Sequence, residues 1–262
     1  MTYALNLPDD TNSHEWRSIF DVVVCTARKP SFYTSNRPFR HIDVVTKRPS
    51  AIPVTSLLPG HVYMHGSVDA VNSMISPMKW KGKEVLYIGD NLTADLKDAK
   101  RKYGWQTACI IHEIEHEMKV LESESFQYLH ELRALIRYFL QEIQSELETD
   151  RKEQQLNTLT HIHNELISSL DTEIRLLSRE LSHAFNPQFG SIFRTDGNPS
   201  YFALHVRRYV DLYMSDVCHL RHYSPTHRFF PSHAIRAAHD PQTPIAMSRV
   251  FKLLHSMKDI DN

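Results

Sequence analysis

Short apolar runs alternate with amphipathic segments in the first part of the chain, which is the pattern of an α/β fold. Runs rich in β-branched and aromatic residues predict four strands, at residues 21–26, 62–64, 85–88 and 107–111. Helical periodicity predicts helices at residues 13–20, from 66 toward 75, and at 93–103. Gly104 follows the last of these at the position of a C-cap. Residues 30–60 hold many prolines and basic residues with weak periodicity and are expected to form an extended loop.

The middle of the chain is helical in pattern, because neither Gly nor Pro occurs between Trp105 and Asn186 and apolar residues recur at helical spacing. A single helix over 113–185 would be about 110 Å long, whereas a compact chain of this length is about 45–50 Å across. We therefore predict a helical hairpin with its turn in the polar run 148–155. A packed amphipathic pair without chemistry is the simpler interpretation, and a partner-binding coiled coil is the alternative.

After Pro187 the chain becomes rich in aromatic residues, and the periodicity over 200–220 predicts one helix. The pattern divides the chain into three parts, namely an α/β part over 1–112, the hairpin over 113–186, and a C-terminal segment with a polar tail over 187–262. The helical region also offers a surface through which copies of the chain would associate, so a homo-oligomer is a further expectation.

Bulk composition narrows the class of protein. The 262 residues are 41% hydrophobic and 23% charged, with a net charge of −1. This balance provides no electrostatic reason to expect nucleic acid or an anionic membrane as a partner. No apolar run approaches the roughly 20 residues that span a bilayer, and residues 1–16 lack the apolar core of a signal peptide. Three cysteines without metal-ligand spacing predict reduced thiols and a cytoplasmic location.

The end of the predicted strand 85–88 carries the first candidate for chemistry. Gly89 and Asp90 follow the strand directly, at the edge of a parallel sheet where ligands bind. Gly89 allows a close approach to the backbone, and the Asp90 carboxylate is a hard oxygen ligand suited to Mg²⁺. An ordinary turn after a strand is the alternative interpretation.

Asp95 and Lys29 are two further candidates. Asp95 lies on the first turn of the helix predicted after that strand, so it is expected to face the same pocket as Asp90. Two neighbouring carboxylates repel each other unless a cation lies beside them. Lys29 follows the strand 21–26 and, in a parallel sheet, would emerge at the same edge as Asp90. A lysine there neutralises phosphate charge, although a solvated loop lysine is the plainer interpretation.

The stretch from His112 to His116 matches H-E-x-x-H, a zinc-protease motif in which two histidines share one face of a helix. The chain has 17 histidines, so chance matches are expected. The third histidine of the extended motif is missing, and His112 directly follows the strand 107–111 instead of lying within a helix. Polar residues at a helix start are the preferred interpretation.

Several segments together resemble the cytosolic purine 5′-nucleotidases and 5′-nucleotidase domain-containing proteins, which belong to the haloacid-dehalogenase (HAD) hydrolase superfamily. The similarity runs in order from about residue 15 to 235 and is greatest to the domain-containing branch. The segments that carry it are residues 21–33, the Gly66-Ser67 turn, residues 87–95, residues 103–111, residues 188–195 and residues 211–214.

The resemblance implies a HAD-like Rossmannoid parallel sheet and a Mg²⁺-dependent hydrolase of purine nucleoside 5′-monophosphates. By the same resemblance, Lys29 falls on the phosphate-binding lysine of the family and Asp90 on an acidic ligand of the catalytic Mg²⁺. Asp95 falls on the second acid, which steadies the lysine and the metal shell.

One departure from the family pattern bears on activity. These enzymes use D-x-D-x-[TV] after the first core strand, with the first Asp as nucleophile and the second as general acid/base. Neither Asp9-Asp10-Thr11 nor Asp259-Ile260-Asp261 fits this motif. We therefore expect little or no activity from this chain, as a fragment or an incomplete gene product. A shortened protein without catalysis, acting by protein interaction, is the alternative.

Overall fold

Strands and helices alternate in the first half of the computed structural model, which describes residues 17, 19–43, 45–74, 82–152, 157–195, 197–224, 226–229 and 239. The predicted α/β class is confirmed, because parallel strand pairs alternate with helices along the chain. The helix predicted over 13–20 lies mostly outside the described residues. The chain forms two compact units, one of residues 1–110 with 208–213 and one of residues 111–207 with 214–262.

A four-stranded sheet forms part of the first unit, and its order is β1-β4-β2-β3. The four strands are β1 (Val23–Cys25), β2 (Phe39–Ile42), β3 (Pro49–Pro53) and β4 (Val62–His65). β1 and β4 are parallel, with Val24 opposite Tyr63, whereas β2 pairs antiparallel with both β4 and β3. The sheet is therefore mixed, and β1 lies at its edge.

The prediction of an extended loop over residues 30–60 is wrong. That stretch forms the short helix α1 (Ser31–Thr34) followed by β2 and β3. Pro49 and Pro53 are the first and last residues of β3, which is the outer strand of the sheet. An edge strand tolerates proline because one side of its backbone needs no partner. The prolines thus mark a sheet edge here.

A three-stranded sheet has the order β5-β6-β9, built from β5 (Leu86–Gly89), β6 (Gln106–Ile110) and β9 (Leu212–Met214). β5 and β6 are parallel, with Ile88 opposite Ala108. The expectation of a buried strand at 85–88 is wrong in part, because Leu86 is 48% exposed and Ile88 37% exposed. Among the described residues β5 has a strand neighbour on one side only, so it is an edge strand of this sheet.

The core of the first unit is aromatic. The predicted helices form as α2 (Val68–Met74) and α3 (Lys97–Tyr103), and Gly104 ends α3 in a left-handed conformation with φ of 66°. Trp105 is buried and stacks on Tyr87, with ring centroids 6.0 Å apart. The buried cluster comprises Phe32, Tyr33, Phe39, Tyr63, Val68, Val71, Ala99 and Trp105.

The predicted helical hairpin is confirmed in the second unit. It consists of α5 (Glu124–Lys152) and α6 (Asn157–Phe185), each of 29 residues and hence about 43 Å long. α5 extends through Lys152, into the run 148–155 where the turn was expected, and residues 153–156 lie outside the described part of the chain. Ile174, Leu177 and Leu181 form a buried stripe on α6. None of the described helices combines the length and apolar character needed to cross a bilayer.

A separate helix α4 (Ile114–Glu122) precedes the hairpin, because Ser123 adopts an extended conformation and its hydroxyl accepts from the amide of Phe126. The single helix expected over 200–220 is wrong, since α7 (Tyr201–Tyr209) ends before β9. The amide of Asp211 donates to the carbonyl of Thr107 at 2.9 Å, so pairing with β6 replaces further helix. The remaining elements are β7 (Arg194–Thr195), β8 (Asn198–Pro199), a helical turn (Leu92–Leu96) and two 3₁₀ turns (Gly82–Glu84 and Val217–His222).

Candidate functional site

Asp95 is positioned by a tight cap after β5. Asn91 accepts hydrogen bonds through its side-chain oxygen from the amides of Thr93 and Ala94, at 3.0 and 2.8 Å. This cap begins a wide helical turn over Leu92–Leu96 of π type, rather than the α-helical first turn that the sequence predicts. π turns recur at functional sites. Here the turn buries Asp95, which is 3% exposed.

Gly89 is required next to Asp95. A Cβ added at Gly89 would lie 2.8 Å from Cβ and 2.9 Å from Oδ2 of Asp95. Those separations are shorter than van der Waals contact, so any side chain at this position displaces the carboxylate. The glycine of the Gly-Asp pair thus serves the packing of Asp95 in addition to the turn.

Lys29 reaches Asp95 from the other sheet of the first unit. After β1 the backbone turns through left-handed residues Thr26 and Arg28, with φ of 51° and 56°. Lys29 Nζ then lies 2.5 Å from Asp95 Oδ1, in an ion pair whose carboxylate is 4% exposed and whose lysine is 40% exposed. The prediction that Lys29 would share one parallel-sheet edge with Asp90 is wrong, because β1 and β5 belong to different sheets, and it is Asp95 that Lys29 meets.

Tyr87 bridges the pair and was not identified from the sequence. Its hydroxyl accepts from Lys29 Nζ at 3.2 Å and donates to Asp95 Oδ1 at 3.3 Å. Tyr87 stands two residues before Gly89 on β5, so the alternation of a strand places it on the same face as Gly89. That alternation was the available signal in the sequence.

Charge at this cluster is held firmly on the lysine. Burial alone lowers the pKa of Lys29, but the hydrogen bonds to Asp95 and Tyr87 outweigh it, so the pKa is raised above its ordinary value of 10.5. Tyr33 packs edge-on against Tyr87, with ring centroids 6.0 Å apart. Burial raises the pKa of Tyr33, which therefore remains a neutral phenol. The arrangement presents a protonated ammonium with its exposed side toward solvent.

Asp90 takes no part in this ion pair. It directly follows β5 and is exposed, and within the described residues its carboxylate takes part in no hydrogen bond or ion pair. Asp95, by contrast, uses Oδ1 for Lys29 and Oδ2 for the amide of Asn91. The structure therefore brings two of the three sequence candidates together and leaves the third open.

The donor set fits Mg²⁺ only in part. Mg²⁺ commonly takes one or two carboxylates and keeps water or phosphate oxygens as its other ligands. Asp90 fits as one such carboxylate, because its oxygens are free of protein partners in the described residues. Among those residues no group of three or more His, Cys, Asp or Glu side chains is placed to hold a metal ion.

The H-E-x-x-H stretch lacks the geometry of a zinc site. His112 lies before α4 begins at Ile114, so the two histidines do not share one helical face. His116 lies within α4, and its Nε2 is 2.9 Å from the carbonyl oxygen of Phe185. These contacts support the preferred interpretation of polar residues at a helix start.

A second polar cluster fixes the C-terminal strand to the first unit. Asp211 binds Lys100 Nζ through both carboxylate oxygens, at 2.5 and 2.6 Å. Its Oδ2 also accepts from the amide of Thr107 at 2.9 Å. Lys29 and Lys100 thus have separate carboxylates, Asp95 for Lys29 and Asp211 for Lys100.

Comparison with known proteins gives a consistent family. The model of the 5′ nucleotidase family matches residues 1–242. The chain is 36% identical over 222 residues to 5′-nucleotidase domain-containing protein 2 of Rattus norvegicus, and 34% identical over 220 residues to its namesake in Homo sapiens. Both alignments cover 83% of this chain. A 5′-nucleotidase domain-containing protein of Dictyostelium discoideum is 31% identical over 232 residues, or 88% of this chain.

The alignments cover only part of each relative. The chain spans 36%, 39% and 37% of the lengths of the rat, human and Dictyostelium proteins. The family model's match over residues 1–242 includes the Lys29 turn, β5 and the Asp95 turn. On the extent of the family match and the identity to these relatives, the chain belongs to the 5′-nucleotidase family.

Proposed function

We propose that this chain forms the lysine and Gly-Asp part of a HAD-type phosphohydrolase site that acts on purine nucleoside 5′-monophosphates. The ion pair of 2.5 Å between Lys29 and Asp95 is the observation that carries the proposal. It joins a cation and a buried carboxylate from turns that follow two separate strands, β1 and β5. Family membership supports the substrate class.

Each residue has a distinct role in the proposal. The exposed side of the Lys29 ammonium binds an oxygen of the substrate phosphate, where a fixed positive charge stabilises the charge of the transition state. Asp95 and Tyr87 hold Lys29 protonated and oriented. Asp90 is one ligand of Mg²⁺, which when bound neutralises negative charge on phosphate oxygens.

Hydrolysis also needs a nucleophile, and the 262 residues contain no D-x-D-x-[TV]. Asp95 is poorly suited to that role, because Lys29 binds its Oδ1 and the amide of Asn91 binds its Oδ2. Loss of a single electrostatic stabiliser commonly reduces the rate by ~10²–10³, and loss of the nucleophile removes the covalent route. We infer that the 262-residue chain binds phosphate esters and hydrolyses them little or not at all.

The binding step is tested by isothermal titration with guanosine 5′-monophosphate and, separately, with guanosine. The nucleotide is expected to bind and the nucleoside to bind at least tenfold more weakly, a difference of about 1.4 kcal/mol. Lys29→Gln should remove that difference, whereas Lys83→Gln, at an exposed lysine of the same unit, should preserve it. Equal binding of the two ligands by the unchanged protein contradicts the proposal.

The hydrolysis step is tested separately. Phosphate release from guanosine 5′-monophosphate is followed with Mg²⁺ and with EDTA, and the expected rate equals that of the buffer alone. Release that requires Mg²⁺ and is abolished by Asp90→Asn would show that the chain is catalytic by itself.

A non-catalytic interaction protein is the second candidate, and exposed apolar side chains on the hairpin favour it. Ile162 and Leu166 lie one helical turn apart on α6 and are 55% and 43% exposed. We infer that this stripe joins two copies of the chain. Sedimentation equilibrium should then give a dimer that Ile162→Glu with Leu166→Glu converts to a monomer, and a monomeric unchanged protein excludes this role.

We also propose that the protein is cytoplasmic. Cys25, Cys109 and Cys218 are free thiols, and Cys25 and Cys218 are exposed. Exposed unpaired thiols favour a reducing compartment.

A further inference from the structure

A groove on the helical hairpin gathers cationic side chains. It encloses about 570 Å³ and belongs entirely to the second unit. Arginines from both helices, serines of α6 and residues that follow α6 line it, chiefly Arg137, Arg175, Ser178, Arg179, Ser182 and Phe189. We call these six residues the arginine groove.

Helical spacing aligns the cations on α6. Arg175 and Arg179 are four residues apart and therefore point from the same face of the helix. Arg137 contributes a third guanidinium from α5. Arginine presents its donors in a planar fork that matches phosphate and carboxylate oxygens, so three such groups at one groove favour an oxyanion.

A fourth guanidinium lies behind the lining. Arg133 is only 9% exposed, and its Nη1 donates to Ser178 Oγ at 3.3 Å. Burial lowers the pKa of His130, and positive charge on Arg133, Arg194 and Arg137 lowers it further. A half-buried histidine thus experiences the positive potential of this region, independently of the groove's shape.

Acidic residues compensate this charge only in part. Asp171 pairs with Arg175 at 2.8 Å. Glu180 follows Arg179 directly, and residues adjacent in sequence on a helix do not face each other. Arg137 and Arg179 have no ion pair among the described residues. Two of the three guanidinium groups that line the groove are therefore uncompensated.

The end of the groove is built by the chain that leaves α6. Asn186 Oδ1 accepts from the amides of Gln188 and Phe189, at 2.9 and 3.2 Å. Gly190 has φ of 73°, and any side chain there would overlap Ser182 Oγ. This tight return fixes the end wall, and it leaves the ring of Phe189 61% exposed at the rim.

We propose that the arginine groove binds a small multivalent oxyanion, that is, a small molecule carrying two or more phosphate or carboxylate groups. The volume lies within the range of about 300–1,000 Å³ that is typical of small-ligand sites. Uncompensated guanidinium groups on two helices supply complementary charge on more than one side. The inference is independent of the site at Lys29, because no residue is shared between them.

Isothermal titration of the 262-residue protein with inorganic tripolyphosphate and with citrate tests this proposal. Saturable binding at the groove is expected, with affinity that falls as NaCl is raised because the binding is electrostatic. Tighter binding of tripolyphosphate assigns the site to phosphates, and tighter binding of citrate assigns it to carboxylates. Absence of saturable binding of both overturns the proposal.

Variants locate the binding. Arg137→Gln and Arg179→Gln should each weaken it by roughly 10-fold to 100-fold, the usual effect of losing a charged hydrogen bond. Arg207→Gln, at an exposed arginine outside the groove, should leave it unchanged. Lys29→Gln should also leave it unchanged, which separates this site from the proposed phosphohydrolase site.

Three results would contradict the assignment. The first is binding that persists in both groove variants while their thermal unfolding is unchanged. The second is binding that is lost in Lys29→Gln, which would place the anion at the other site. The third is a polyglutamate peptide that binds more tightly than tripolyphosphate, which would assign the groove to an acidic protein segment.

Discussion

The Lys29 ammonium and the arginine groove both present positive charge to solvent, but only Lys29 has a buried carboxylate and a tyrosine hydroxyl behind it. Arg137 and Arg179 have no comparable partner among the described residues. A charge held by a buried acid is oriented before any ligand arrives, whereas a charge on an exposed arginine is ordered by its ligand. A charge that is oriented in advance suits transition-state stabilisation. Exposed guanidinium groups that are ordered by their ligand suit simple binding.

This contrast has consequences for stability. Removing one member of a buried ion pair leaves the other charge without a partner, which is costly. Removing an exposed, unpaired arginine leaves no buried charge without a partner and only reduces the repulsion among neighbouring positive charges. The two regions should therefore respond in different ways to equivalent substitutions, and the following predictions test that difference.

Lys29→Met is expected to have the largest effect. It leaves the Asp95 carboxylate buried, with only Tyr87 and Asn91 as donors. We expect the free energy of unfolding in urea to fall by about 2–3 kcal/mol, less than for a fully buried pair because Lys29 is partly exposed. Lys83→Met is the control and should change it by less than about 0.5 kcal/mol. If Lys29→Met and Lys83→Met lowered the free energy of unfolding equally, the Lys29–Asp95 ion pair would not contribute to stability.

Gly89→Ala should follow in size. The new methyl group meets Asp95 at 2.8 Å and must push the turn away from β5. The expected loss is about 1–2 kcal/mol of unfolding free energy, which is typical of overpacking. Leu86→Ala on the same strand, at a side chain that is 48% exposed, is the matched control and should cost less. If Gly89→Ala proves neutral, the close packing of Asp95 against β5 is not required.

Tyr87→Phe removes one hydroxyl and keeps the ring that stacks on Trp105. The loss of the bridge between Lys29 and Asp95 should cost about 0.5–1.5 kcal/mol. It should also lower the pKa of Lys29, since the Tyr87 hydrogen bond helps to raise it. NMR titration of labelled lysines measures that pKa, with Tyr201→Phe as an exposed control. An unchanged Lys29 pKa would argue against the bridge.

The raised pKa of Lys29 also predicts a dependence of stability on pH. A group whose pKa is higher in the folded state than its ordinary value of 10.5 stabilises the fold fully below that pH. The stabilisation disappears as the pH rises through the folded value. The difference in unfolding free energy between the unchanged protein and Lys29→Met should therefore be constant from pH 7 to 9 and shrink above about pH 10.5. If the difference in unfolding free energy between the two proteins grew with rising pH, the pKa of Lys29 would be lowered in the folded state and not raised.

The smallest effect is expected in the arginine groove. Arg179→Gln removes an exposed charge with no ion pair among the described residues. The melting temperature should stay the same or rise slightly. The free energy of unfolding should change by no more than about 0.5 kcal/mol. Thermal unfolding at low and high salt checks this, because reduced repulsion helps most at low salt. A loss comparable to that of Lys29→Met would show that the groove is structural.

Local pattern predicted much of the fold. Strands β1, β4, β5 and β6, helix α2, Gly104 as the end of α3 and the helical hairpin all follow from periodicity and from the conformational preferences of single residues. The errors over 30–60 and 200–220 arose where tertiary pairing decided the outcome. Prolines that indicated a loop bound an edge strand, and a helical periodicity stopped where Asp211 pairs with Thr107.

The sequence predicted the charged residues of the candidate site but not their arrangement, which again depends on tertiary pairing. Residue type and position after a strand identified Lys29, Asp90 and Asp95. Their separation into a buried ion pair and an exposed carboxylate depends on the π turn and on the sheet to which each strand belongs. Tyr87 escaped notice because an aromatic residue in a strand is usually a core residue.

The sequence by itself determined the class of fold, the family and the residue types available for chemistry, since these depend on periodicity and on short motifs. Only the tertiary structure decided that Asp95 and not Asp90 meets Lys29, and that arginines 42 positions apart, Arg137 and Arg179, line one groove. The physical reason is that side chains distant in sequence meet only through packing and strand register. Neither is encoded in any local window of residues.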